Sequence, residues 1–251
     1  MGALHQGHLS LIQQAQQQCD IVICSIFVNP TQFNDPRDLE KYPRPIQEDI
    51  KKLEAIGCDA LFEPAVTEVY DNNEHWHLNI GPLEGLLEGK HRPGHYQGVT
   101  QVVYKLFNLV KPDVAFFGQK DYQQFLIISQ LVKLLSLPVK LIMCPIQREA
   151  DGLAMSSRNI HLSAADRQHA LVLSKTLNWV NGNFGLDKID LLKQQAETAI
   201  NSEPGVELGY FEIADGDTLL PADAQSKTIV ALVAAKVGET RLIDNVIIAG
   251  N

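Results

Sequence analysis

The chain has 251 residues, 45% hydrophobic and 20% charged, enough apolar material for one large domain or two modest ones. A formal charge of −9 with no lysine- or arginine-rich run argues against a nucleic-acid partner. No apolar run approaches the roughly 20 residues of a membrane span, and Cys19, Cys24, Cys58 and Cys144 lack metal or disulfide spacing, so no membrane partner and a cytoplasmic location are the default expectations.

The first stretch is MGALHQGH, with His5 and His8 beside Gly7, followed by Leu9, Leu11, Ile12 and Ala15 near helical spacing. This predicts a glycine-softened turn entering a helix. Free backbone N–H groups and the positive end of the helix dipole at such a turn suit a phosphate, and both imidazoles can donate to phosphate oxygens. A turn of this kind normally follows a β-strand, and Met1 stands where that strand would just have ended. CDIVICSIFVNP, residues 19–30, predicts a strand buried on both faces. The proline-rich TQFNDPRDLEKYPRP then reads as a loop at its carboxyl end, where open parallel sheets form binding sites. IQEDIKKLEAI is a helix stopped by Gly57, and ALFEP is a short strand. Residues 67–94 are irregular; His75 and His77 lack a third ligand at useful spacing and read as exposed histidines. A buried helix covers 97–110, a strand 114–117 ends in Gly118 and a second polar loop, YQQFLIISQLVKLLS is an amphipathic helix, and VKLIMCPI is another strand.

Alternating strands and helices up to Ile146 predict a parallel, doubly wound α/β domain with right-handed crossovers. The next block, READGLAMSSRN, has two readings. Ser156, Ser157 and Arg158 could hold phosphate by two hydroxyls and a guanidinium fork, or the block is a polar interdomain loop with Ser157 or Asn159 as a helix cap. Beyond Ser163, a Ser-x-x-Asp helix start and a second helix precede three strands, VELGYFEIADGDTL, KTIVALVAAKVG and TRLIDNVIIA. This texture predicts a small α+β domain with an antiparallel three-stranded sheet. The expected division is 1–146 and 147–251, with the boundary near Pro145 to Gln147.

MGALHQGHLSLI, SIFVNPTQF, YPR, RPGHYQGV, FFGQKDYQQ and READGLAMSSRN occur in the order and spacing of the pantoate–β-alanine ligases, a family of HIGH-motif nucleotidyltransferases that the whole chain resembles. The resemblance implies a Rossmann-like domain followed by a small lid domain. It also implies ATP-dependent condensation of pantoate with β-alanine through a pantoyl adenylate, magnesium accompanying ATP, and a homodimer. By the same likeness Met1, Gly2, Ala3, Leu4, His5, Gln6, Gly7 and His8 form the ATP turn, with His8 the proton donor. Gly118, Gln119, Lys120 and Asp121 contact the nucleotide, and Gln147 lies by the adenine. Met155, Ser156, Ser157 and Arg158 close over the triphosphate, while Gln32 and Gln124, with Asn29 nearby, bind pantoate. No metal ligand is assigned. The chain departs from the family in three places: a strand ending in Pro-Thr is expected before Met1, Gln119 stands where glutamate is common, and Gln147 replaces a usual valine.

The reactive adenylate needs shielding from water, and the loop between Phe33 and Pro45, with Tyr42 and Arg44, is the candidate cover. Two other functions fit the same motifs: a transferase that stops after moving the nucleotide, and a nucleotide-binding module without catalysis.

Overall fold

The computed structural model describes residues 2–34, 36–71 and 74–248, with Asp38 and Lys41 described by their backbone alone. Two compact units divide the chain: residues 1–118 with 123–145, and residues 119–122 with 146–251. Among the described residues no helix is long and apolar enough to cross a membrane.

The first unit begins with α1 (Gln6–Gln16), β1 (Ile23–Ser25), a 3-10 turn at Pro30–Gln32, α2 (Pro36–Lys41), α3 (Ile46–Ile56) and β2 (Ala60–Phe62). It continues through the short helices α4 (Val66–Val69) and α5 (Leu87–His91) to α6 (His95–Val110), β3 (Val114–Gly118), α7 (Tyr122–Leu134, its first residue in the second unit) and β4 (Lys140–Cys144). The alternation predicted parallel pairing, and both pairs, β1 with β2 and β3 with β4, are parallel. They stand as two two-stranded sheets. The run 19–30 differs from expectation. Only three of its residues join a ladder, and Ile21 and Ile23 are 70% and 45% exposed. Helices α1 and α3 both pack on the face that carries Val22, Cys24 and Ile26, joining Ile12, Ala15 and Leu53 in one cluster. Each such buried aliphatic side chain contributes on the order of 2 kcal/mol.

The first half of α6 organises the irregular stretch before it. Gln97 bridges Leu78 N and Leu78 O at 2.9 and 3.0 Å, and Trp76 Nε1 donates to Thr100 Oγ1 at 3.0 Å. Gly98 lets the helix meet the 3-10 turn of Pro30–Gln32, because a Cβ there would lie 2.3 Å from Thr31 O.

The second unit contains α8 (Ala164–Asn183), α9 (Ile189–Asn201) and the strands β5 (Val206–Asp215), β6 (Ile229–Val237) and β7 (Thr240–Ile248). The strands form an antiparallel sheet in the order β5-β6-β7, as predicted. Ser163 caps α8, accepting from Asp166 N at 3.1 Å. Period-two alternation puts Ala231, Val233 and Ala235 of β6 against Leu173 and Leu177 of α8 and Ala196 and Ile200 of α9.

Gly98→Ala is expected to lower the unfolding free energy by about 1–3 kcal/mol, because the added methyl meets backbone that cannot yield cheaply. Urea denaturation measures this; wild-type stability would show that the turn moves aside freely.

Candidate active site

The residues of the N-terminal turn sit in unusual backbone. Gly2 has φ +86° and Ala3 φ +51°, and a buried carboxylate holds them there. Asp49 of α3, 1% exposed, accepts from Ala3 N and Leu4 N at 2.7 Å each, and Lys52 Nζ donates to Leu4 O at 2.7 Å. A Cβ on Gly2 would come 3.2 Å from Asp49 Oδ2 and from Ile26. The expectation that the turn offers free N–H groups to a phosphate is therefore corrected. The N–H groups of Ala3 and Leu4 are taken by Asp49, that of His5 by His8 Nδ1 at 3.2 Å, and that of Gly7 by His5 Nδ1 at 3.1 Å. The turn already contains its anion.

The histidine bonds decide the chemistry of the turn. Each Nδ1 accepts from a backbone N–H, so in the neutral ring the proton sits on Nε2. The rings lie 3.9 Å apart between centroids at an interplanar angle of 33°, which gives two neighbouring Nε2–H donors on half-buried side chains at the start of α1. Met1 lies outside the described residues; Gly2, Ala3, Leu4, Gln6 and Gly7 form the backbone of this turn.

A second group in the same unit centres on Asn29, which is buried. Its Oδ1 accepts from Tyr70 O–H at 2.7 Å and Thr31 Oγ1 at 3.1 Å, and its Nδ2 donates to Gly98 O at 3.1 Å and Gln32 Oε1 at 3.2 Å. Burial raises the Tyr70 phenol, which stays protonated as the donor. With its oxygen accepting from Asn29, Gln32 has Nε2 as its donor end, suited to a carboxylate or hydroxyl oxygen. Gln123 and Gln124 are adjacent but differ in role. Gln123 is buried and ties Leu83 O, Leu86 O and Glu88 N to α7. Gln124 is half-buried, and no hydrogen bond fixes its amide among the described residues. Gly118 ends β3 in this unit.

The remaining expected residues belong to the second unit. Gln119, Lys120 and Asp121 form a 3-10 turn, in which Gln119 Nε2 donates to Asn245 Oδ1 at 3.1 Å and Lys120 Nζ lies 3.9 Å from Asp121 Oδ1. Residues 147–155 make a tight hairpin, with Met155 N donating to Gln147 O and Glu149 N to Leu153 O. Arg148 grips the buried Asp244 by two bonds of 2.7 and 3.0 Å. Ser156, rather than Ser157 or Asn159, caps the turn Ser157–His161, accepting from Arg158 N at 3.2 Å. As a cap its oxygen accepts, so its O–H remains a donor, and the two readings of this loop are compatible. Asn159 donates to Glu149 and Ala154 O, while its Oδ1 is buried with no partner among the described residues.

Asp49, Asp244 and Asn245 escaped the sequence reading, although each left a trace. Asp49 falls on the apolar stripe of Ile46, Ile50 and Leu53, and Asp244–Asn245 puts two polar residues inside a strand. No group of three His, Cys, Asp or Glu that could hold a metal occurs among the described residues, and His75 and His77 are exposed.

Arg167 of α8 clamps the hairpin through Glu149 at 2.5 Å and Asp151 at 2.9 Å. Burial raises both carboxyls, but the Arg167 bonds, with Asn159 on Glu149 and Leu153 N–H on Asp151, outweigh it and hold both below their ordinary values. Depressed carboxyls stabilise the fold above the ordinary values of 4.5 and 3.8, and that stability is lost as pH falls through the depressed ones. Arg167→Met should therefore flatten the acid limb of the urea-unfolding free energy plotted against pH; an unchanged limb would contradict the clamp. Asp49→Asn turns an amide N–H2 against a backbone donor and should cost about 3 kcal/mol of unfolding free energy. A loss under about 0.5 kcal/mol, the range of an ordinary surface change, would show that the turn holds itself.

The family profile of pantoate-beta-alanine ligase matches residues 1–247. The pantothenate synthetase of Porphyromonas gingivalis is 45% identical over 248 residues, 98% of this chain and 88% of that one. That of Acetivibrio thermocellus is 44% identical over 250 residues, 99% and 89%. Among solved structures, pantothenate synthetase from Thermus thermophilus is 40% identical at a TM-score of 0.94, covering 100% of this chain and 91% of that one. Pantoate-beta-alanine ligase from Francisella tularensis, complexed with beta-gamma ATP and beta-alanine, is 36% identical at 0.81, covering 100% and 88%. The chain belongs to the pantoate–β-alanine ligase family.

Proposed function

We propose that the chain condenses D-pantoate with β-alanine at the expense of ATP, through a pantoyl adenylate, releasing AMP and pyrophosphate and supplying a coenzyme A precursor. The observation that carries this reading is the pair of Nε2–H donors on His5 and His8, held by backbone bonds to their Nδ1 atoms in a chain whose relatives are pantothenate synthetases. The complex of the Francisella relative with beta-gamma ATP and beta-alanine supports ATP and β-alanine as substrates.

In the first step a pantoate carboxylate oxygen attacks the α-phosphorus. The bond to the bridging oxygen breaks, and pyrophosphate leaves with the displaced electron pair. Little covalent chemistry is asked of the protein, so positioning and charge stabilisation dominate. His5 and His8 donate to the oxygens that gain charge, and Lys120, Ser156, Ser157 and Arg158 supply further cations and hydroxyl donors. Gly118, Gln119, Asp121, Gln147 and Met155 are assigned to the nucleotide by the family likeness. Gln32 and Gln124 hold pantoate, with Asn29 orienting Gln32. In the second step the β-alanine amine attacks the acyl carbon, the bond from that carbon to the phosphate oxygen breaks, AMP leaves, and the new amide nitrogen gives up its proton. The segment between Phe33 and Pro45, read from sequence as a loop but carrying the short helix α2, is the one assigned to shield the adenylate.

Magnesium arrives with ATP; it takes its ligands mainly from phosphate and water and needs no cluster of three protein side chains. When bound it neutralises phosphate charge. We assign the protein to the cytoplasm as a homodimer. Its four free thiols suit a reducing compartment, and burial pushes the Cys24 thiol up to about 11, which keeps it unreactive. The dimer rests on the family likeness.

The test is AMP and pyrophosphate release from ATP, magnesium and D-pantoate, with and without β-alanine. AMP formation that needs both pantoate and β-alanine supports ligation, and a nucleotidyl conjugate as end product would overturn it. His8→Ala should lower adenylate formation by on the order of a hundredfold, well beyond the loss of about 1 kcal/mol in stability expected from removing its bond to His5 N; near-normal turnover would remove His8 from the chemistry.

A further inference from the structure

Lys120 sits on a turn that is gripped from β7. Asn245 is 2% exposed, and its Nδ2 donates to Gln119 O and Lys120 O at 3.0 Å each while its Oδ1 accepts from Gln119 Nε2 at 3.1 Å. One buried amide thus closes three bonds on two consecutive residues. The same segment has a second tether. Tyr122 O–H donates to Gly216 O at 2.9 Å. A Cβ on Gly216 would lie 2.9 Å from that hydroxyl and 2.7 Å from Thr228 Cγ2, so the strand end meets the phenol closely only as glycine. Burial, helped by the Asp217 and Asp215 carboxylates, pushes the phenol up to about 12, so it stays a donor at neutral pH.

An amide at 245 is chemically selective. A carboxylate of the same shape cannot donate to two carbonyls, and an aliphatic side chain of similar size would leave both without a partner at that end. Core filling alone would favour an aliphatic residue at this buried position. Neighbouring side chains on a strand leave opposite faces, so Asp244 reaches Arg148, at the base of the Ser156–Arg158 loop, while Asn245 reaches the Lys120 turn.

We propose that Asn245 is a positioning residue for adenylation: it fixes the backbone of residues 119–120 so that the Lys120 ammonium meets the phosphates of ATP. This rests on the assignment of Lys120 to ATP. Asn245 itself touches no substrate in this scheme. Its loss lets the turn drift, and a displacement of about 1 Å at a reacting group costs on the order of a hundredfold in rate.

The experiment is a cycle of wild type, Lys120→Ala, Asn245→Ala and the double variant. It reads kcat/KM for ATP and, separately, β-alanine capture of pantoyl adenylate supplied ready-made. Asn245→Ala should lower kcat/KM for ATP by about a hundredfold and leave the capture step within about twofold, and the double variant should be no worse than Lys120→Ala. If Lys120→Ala is impaired but Asn245→Ala is not, or if the two losses multiply, or if capture falls in parallel, Asn245 does not act through Lys120. If Lys120→Ala itself keeps normal ATP dependence, the assignment of Lys120 fails, and this proposal fails with it for that distinguishable reason. Should Asn245→Ala not fold, Asn245→Asp keeps the shape, removes the donors and is read in the same cycle.

Discussion

The bond pair from Asp49 to the N–H groups of Ala3 and Leu4 is the constraint on which the rest of the first unit's chemistry depends. A carboxylate taken out of water needs compensation, and here two backbone donors at 2.7 Å provide it, with Lys52 Nζ at 3.9 Å. In return the acid holds Ala3 in left-handed backbone that an alanine visits only under constraint. The chain then reaches His5 at the angle from which its Nδ1 caps α1 and His8 Nδ1 meets His5 N. The tautomer of both rings, and with it the identity of the donor atoms, follows from where α3, four elements further along the chain, places one carboxylate.

The second unit is arranged by the same economy of buried polar groups. Arg148 meets Asp244 through two parallel bonds, the geometry in which a buried pair is best compensated. Arg167 closes the other side of the hairpin from α8. The loop that carries Ser156, Ser157 and Arg158 therefore springs from a base tied to a strand and to a helix, and its cap is one of its own serines. Rigid elements thus hold the loop that carries these side chains.

How much of this could be read in the residues depends on the range of the interaction. The α/β texture up to Ile146 and the two helices and three strands beyond Ser163 were legible because periodicity and turn residues are local signals. The histidine turn was legible as a turn, but the occupants of its N–H groups were not, since Asp49 is more than forty residues away. The motif blocks pointed to the family and hence to Gln32, Gln124, Lys120 and Ser156. Asn29 was legible as a neighbour of Gln32, but its bond to Gln32 and its support by Tyr70, and the grip of Asn245 on the Lys120 turn, emerge only when the chain is folded. Cys19–Pro30 misled because an apolar run carries no record of which face its neighbours cover; α1 and α3 cover one, and Ile21 and Ile23 lie on the other.

Residues 119–122 join the second unit although β3 leads into them and α7 leads out. Neither unit is consequently a continuous piece of polypeptide. A gene fragment starting at Ile146 would encode a sheet whose Asn245 lacks the carbonyls of Gln119 and Lys120 and whose Gly216 lacks the Tyr122 hydroxyl. A half built this way is not a module that one uninterrupted stretch of sequence can carry.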